Sequence, residues 1–228
     1  MRISFSLAFI LLFAMAPGAR GQEACPSLDA ADESHHSVIF RNSAVRVLEL
    51  QLSRLQGAEA HCHTYTYLVV VTSEGRTNDG AIGTDWAPGD ARLIYGPIKS
   101  TIRNEESMTF RAIEVESLRT QTYTWSARGQ YSDPFGADQG TIKPTWSTTF
   151  SRAGLAGTKA QLAPGDSLDV AQPEHLLIAI TAVELEAKGS TTETISLERG
   201  ETRMLPGGSV SKLTNKGSAL AKFVIVEL

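Results

Sequence analysis

Two histidines flank a cysteine at His61-Cys62-His63, directly before the apolar strand Thr64-Tyr-Thr-Tyr-Leu-Val-Val-Val-Thr72. Successive side chains of an extended chain point to opposite faces, so His61 and His63 share one face and Cys62 takes the other. Neutral imidazole is the commonest protein ligand for transition metals, and two on one face make half of a metal site. Two nitrogens alone hold a divalent ion weakly, so other donors have to converge on them. His35 or His36 could come across from a neighbouring strand. Tyr65 and Tyr67 extend the same face along the strand that continues to Thr72, and they offer phenols. Other chemistries have little support. There is no glycine-rich phosphate loop with its lysine and no G-x-S-x-G nucleophile elbow. Glu105-Glu106 follow a turn asparagine and read as solvated loop charges. Arg92 and Arg203 read as partners in structural salt bridges.

Strands must position these residues. His35–Phe40 and Ala44–Leu52 alternate apolar and polar side chains around an Asn42-Ser43 turn. The second of these predicts one buried and one wet face. After Trp86-Ala-Pro-Gly-Asp90 come a short strand over Ala91–Tyr95, a Gly96-Pro97 turn, and Ser100–Asn104; Met108–Glu116 then closes a first unit. Residues 119–157 read as an irregular connection carrying Trp125 and Trp146, and strands resume from Lys159, punctuated by Pro164-Gly-Asp, Arg199-Gly and Pro206-Gly-Gly. No segment has helical periodicity in the part of the chain after residue 21.

The halves repeat. Gly89, Arg92, Gly96, Ser100, Asn104, Ser107, Val115 and Glu116 are matched 111 positions later by Gly200, Arg203, Gly207, Ser211, Asn215, Ser218, Val226 and Glu227. A repeat of this length indicates tandem copies of one domain. Upstream, a three-residue loop difference that shifts the spacing to 114 sets His175 against His61 and Leu177 against His63.

The order H-x-H, strand, loop, Pro-Gly-Asp, strand, turn and Asn resembles the cupin superfamily. With the repeat, the resemblance implies an all-β chain of two tandem cupin-type antiparallel β-barrels (a double-stranded β-helix in each), a bicupin. The implied boundaries are a first barrel at 22–118, the connection at 119–157 and a second barrel at 158–228. The resemblance also implies metal ligands at His61 and His63, a carboxylate near Tyr67 or Leu68, and a third histidine where Ser100 stands. On this pattern the motif is degenerate, with a ligand-binding wall of His61, His63, Tyr65, Tyr67 and Ser100, and the expected cofactor is none or one weakly bound divalent metal ion. Ser100→His with Leu68→Glu would rebuild the missing ligands if both face His61.

Composition bounds the rest. Arg2, the apolar run Ile3–Ala16 and Pro17-Gly-Ala-Arg-Gly21 read as a signal peptide over residues 1–21, with export to the periplasm or the extracellular space and no membrane span after cleavage. Removing it leaves 19 basic against 25 acidic side chains without a basic cluster, which argues against nucleic acid as a partner. Cys25 and Cys62 are the two cysteines, and an oxidising compartment favours their disulfide. Three readings follow. The first is an exported small-molecule binding or structural module. The second is a metal-dependent enzyme of oxygenase or isomerase type using His61 and His63. The third is a surface interaction domain carried by the aromatic connection. Homo-oligomerisation is compatible with each.

Overall fold

A computed structural model describes residues 25, 27–80, 83–119, 144–170 and 173–228. Residues 1–21, expected to be a signal peptide, and Trp125 lie outside the described residues. In the first half the strands are β1 (His36–Arg41), β2 (Val45–Leu52), β3 (Gly57–His63), β4 (Tyr67–Val71), β5 (Gly75–Asn78), β6 (Gly83–Trp86), β7 (Ala91–Ile94), β8 (Ile98–Asn104) and β9 (Phe110–Ser117). The second half has β10 (Trp146–Arg152), β11 (Leu155–Leu162), β12 (Ser167–Asp169), β13 (His175–Ala179), β14 (Val183–Gly189), β15 (Thr192–Leu197), β16 (Thr202–Leu205), β17 (Val210–Asn215) and β18 (Ala221–Glu227).

Each half folds into a five-stranded sheet facing a four-stranded one, all pairs antiparallel. The orders are β1-β2-β9-β4-β7 with β3-β8-β5-β6, and β10-β11-β18-β13-β16 with β12-β17-β14-β15. Adding nine to each strand number of the first barrel gives the second. The chain is therefore all-β with two cupin-like domains. β10 and the start of β11 lie inside the segment 119–157, so the end of that segment contributes strands to the second barrel.

The repeated residues fix repeated turns. Gly89 and Gly200 have φ of 93° and 87°, a conformation that costs a side chain but not glycine. Asn104 is fully buried and its Nδ2 donates to the carbonyls of Leu52, Ser53 and Met108 at 3.1, 3.2 and 2.7 Å. Asn215 repeats this with Leu162 and Ala219 at 2.9 and 2.8 Å.

β2 is buried on both faces over Val45–Leu48, which corrects the expectation of a wet face there; toward its end Glu49 is half-buried and Gln51 exposed. Leu50 and Leu52 point into the first barrel, whereas Val45 and Val47 join a second cluster on the outside of the same sheet. That outer cluster contains Leu68, Val70, Leu93, Ile113 and Val115 from the first half and Leu155, Leu176, Ile178, Val224 and Val226 from the second. The five-stranded sheets thus bury much of their outer faces against each other, leaving exposed positions such as Gln51 and Arg111 toward the strand ends.

The supposed strand His61–Thr72 is broken. β3 belongs to the four-stranded sheet and β4 to the five-stranded one, so Thr64–Thr66 is the passage between sheets. Gly96 packs against this passage: a Cβ there would stand 2.4 Å from the Tyr65 carbonyl oxygen, so only glycine admits the bend.

Candidate metal centre

Inside the first barrel, β9 alternates Phe110, Ala112, Glu114 and Glu116 inward with Ile113 and Val115 outward. The apolar pair packs the barrel end, and the two carboxylates face His36 from β1 and His61 and His63 from β3. All five side chains are buried. One ligand atom from each histidine can be chosen so that the three lie within 4.8 Å of one another. The His61 and His63 Nε2 atoms are 3.1 Å apart, and Glu114 Oε2 lies 3.3 Å from His36 Nε2 and 3.9 Å from His63 Nε2.

Every outer nitrogen is engaged elsewhere. His36 Nδ1 donates to Glu33 at 2.7 Å, His61 Nδ1 to the Glu59 carbonyl at 2.7 Å, and His63 Nδ1 faces Glu116 at 3.0 Å. A carbonyl only accepts, so His61 carries its proton on Nδ1 and turns a lone pair inward from Nε2. This is the outward anchoring that sets ring orientation in metal sites. Glu116 is bound in turn by Arg46 Nε at 2.5 Å, and Arg46 Nη1 reaches Asp29 at 2.7 Å. The Tyr67 ring stacks on His63 with centroids 4.0 Å apart.

The electrostatics are those of a compact charged cluster. Burial alone would lower His36, but the facing carboxylates of Glu114 and Glu33 carry it up to about 9. Burial lowers His61, helped by the neighbouring histidines and opposed by its bond to Glu59. Burial would raise Glu114, yet His63 and His36 hold it down to about 2. Burial likewise opposes the ionisation of Glu33, and its bonds from His35 and His36 bring it to about 2.

Of the residues expected at the site, His61, His63, Tyr67 and Ser100 line or flank one space, and Ser100 pairs with His61 across β3 and β8. Tyr65 does not; it sits in the passage between sheets. Leu68 faces the opposite way, into the core shared by the two barrels, so Leu68→Glu would bury a charge there and build no ligand. A carboxylate, Glu114 of β9, and a third imidazole, His36 of β1, do face these histidines from positions outside the motif. Alternation over Met108–Glu116 did signal that Glu114 and Glu116 share a face, but not that this face is the barrel interior.

Among the described residues the second barrel has no counterpart. Tyr67 and His175 pair with Glu116 and Glu227, which makes His175 the equivalent of Tyr67 and corrects its alignment with His61. The three-residue difference is real but runs the other way, a spacing of 108 rather than 114. The Val170 amide donates to the Ser211 carbonyl at 2.9 Å, putting Val170 in the place of His61. The interior there is filled by apolar side chains, among them Leu162, Leu185, Leu213 and Phe223.

A cavity of about 180 Å³ adjoins the histidines, lined by Tyr67, Trp86, Arg92, Ser100 and Phe110 among others. The Arg92 guanidinium lies over the Trp86 ring, 4.0 Å from its centroid. Arg203 does face a carboxylate, Glu193 at 3.7 Å. The larger hollow, near Leu55, Gly57, Asn78 and Arg103, opens broadly to solvent.

No protein-family model and no curated protein sequence matches the chain. Its fold does match solved structures. AerE from Microcystis aeruginosa superposes with a TM-score of 0.59 at 13% identity, covering 86% of this chain and 97% of that one. A cupin 2 conserved barrel domain protein from Leptotrichia buccalis gives 0.55 at 14% identity over 85% and 88%. A salicylate 1,2-dioxygenase variant from Pseudoaminobacter salicylatoxidans, solved in complex with gentisate, gives 0.60 at 13% identity over 88% and 75%. The class is thereby defined: a cupin fold with two cupin-like domains. In this chain the first of them carries a buried three-histidine cluster that could bind a metal ion.

Proposed function

We propose that the first barrel holds one first-row divalent metal ion through His36, His61, His63 and Glu114, and binds a small molecule beside it. The observation that carries this reading is a buried charged pair left without a hydrogen bond. His36 Nε2 and Glu114 Oε2 face each other at 3.3 Å as an ion pair, form no hydrogen bond, and point into the cluster. Buried polar groups are rarely left so. Metal bonds of about 2.1 Å place ligand atoms roughly 3–4 Å apart; the His61–His63, His36–Glu114 and His63–Glu114 pairs stand at 3.1, 3.3 and 3.9 Å, and the three imidazoles lie within 4.8 Å of one another. Three imidazoles and one carboxylate suit iron, nickel, copper, zinc or manganese better than calcium or magnesium. The weak affinity expected of two histidines does not carry over to four donors.

A metal held there supplies Lewis acidity to a ligand in the cavity. The protein's own residues do the rest: Tyr67, Trp86 and Phe110 provide apolar walls, and Ser100 and Arg92 polar contacts. At about 180 Å³ the space is smaller than the roughly 300–1,000 Å³ that takes drug-sized molecules, so a metabolite of few heavy atoms fits. The apolar start of the chain and the Cys25–Cys62 disulfide support an exported protein. Elemental analysis tests the reading: about one metal per chain is expected, lost in His61→Ala and in Glu114→Gln. Failure of the chelator-treated protein to take up any first-row divalent ion refutes it.

A further inference from the structure

The segment Cys25–His35 precedes the first strand and contributes no ligand, yet the outer bonds of all three ligand histidines lead back to it. His36 is held directly, through Glu33 at 2.7 Å. The Glu59 carbonyl that holds His61 belongs to a residue whose amide donates to Glu33 at 3.2 Å. His63 is held through Glu116, then Arg46, then Asp29. The segment itself is fixed at Cys62, between the two ligands of β3. The Cys25–Cys62 disulfide joins them with Cα atoms 5.3 Å apart, the Cys62 amide donates to the Leu28 carbonyl at 2.8 Å, and Asp29 forms a parallel bridge to Cys62. Glu33 is buried and also accepts from the His35 amide at 2.9 Å.

We propose that residues 25–35 are an orienting strap for the metal centre and that the Cys25–Cys62 disulfide is a condition of tight metal binding. This rests on the metal reading above. Glu33 and Asp29 are positioning residues. They act through His36 and His63, fixing which nitrogen bears the proton and where the ring points. Reduction by a dithiol adds two electrons and two protons to the bond, leaving two thiols and an oxidised dithiol. The strap then keeps only its hydrogen bonds and ion pairs, and the histidines lose the anchors that aim them. A chain that has not yet formed the bond is a poor metal site, so loading follows oxidation.

The test uses the chain without residues 1–21 and Zn²⁺ in competition with a chromophoric chelator. Oxidised wild type is compared with Cys25→Ala/Cys62→Ala and with Glu33→Ala, which keeps the disulfide. Each variant should bind about 10–100-fold more weakly, the usual cost of removing an outer partner of a metal ligand. Combining the changes should cost less than the product of the two, because both act through one strap. The visible spectrum of the Co²⁺-loaded protein should change in Glu33→Ala, a signature that general destabilisation does not produce. If the cysteine-free chain does not fold, Glu33→Ala decides the matter. Wild-type affinity in Glu33→Ala, or in a folded cysteine-free chain, overturns the strap and leaves the metal site standing. An oxidised wild type that takes up no Zn²⁺ overturns the metal reading and this inference together.

Discussion

His36 shows how one side chain joins the charge balance of the site to the stability of the fold. Its value of about 9 lies above the ordinary 6.5 because Glu114 and Glu33 face it. The folded chain therefore keeps a proton that the unfolded chain releases, and the stabilisation is full below 6.5 and lost as pH rises through about 9. The depressed values of His61 and His175 act only below 6.5 and leave that window untouched. Chelator-treated protein should show a urea midpoint that falls between pH 6.5 and 9, and His36→Gln should flatten the fall. Glu33 and Glu114, both near 2 against an ordinary 4.5, add a loss of stability as pH falls below 4.5. Zinc binding should also release a proton from this cluster, measurable as buffer-dependent heat in calorimetry. At this scale the sequence showed His61 and His63, because two imidazoles two residues apart must share a face of a strand. It offered His36 only as one of two neighbours. Glu114 went unseen because its place depends on a pairing with β2 and β4 that local pattern does not encode.

At the scale of elements, the repeated asparagines are the most legible feature. Their spacing pointed to equivalent turns, and each proves to bind two or more carbonyls from a buried position at the base of an exposed loop. Asn104→Ala should cost about 2–3 kcal/mol in urea unfolding, because it removes three hydrogen bonds made by one buried amide. Asn215→Ala should cost a similar amount, and a loss under about 1 kcal/mol at either would show that the loop rearranges. The break between β3 and β4 was not legible. A run of alternating residues reads as one strand whether or not the chain changes sheets midway, and the cue was distant, in the glycine at 96 that packs on Tyr65. The same blind spot put His175 opposite His61, since a shift of three residues has no sign until strands are paired.

The whole molecule is organised by the core between the barrels. Val45, Leu68 and Val115 from one half meet Leu176, Ile178 and Val226 from the other, all with almost no exposure. Periodicity placed apolar side chains on both faces of β2, but could not say that a second sheet covers the outer one. This apposition makes the halves mutually dependent, however separable the repeat makes them look. Cutting the chain between residues 120 and 143 and producing each piece alone should give insoluble protein, because each would present a sheet-sized apolar face to water. Produced together, the pieces should reassemble into a soluble pair. The first piece contains every residue of the proposed metal centre, so zinc uptake would report when the second has docked. The architecture is thus a ready-made split sensor, with complementation read out by a metal.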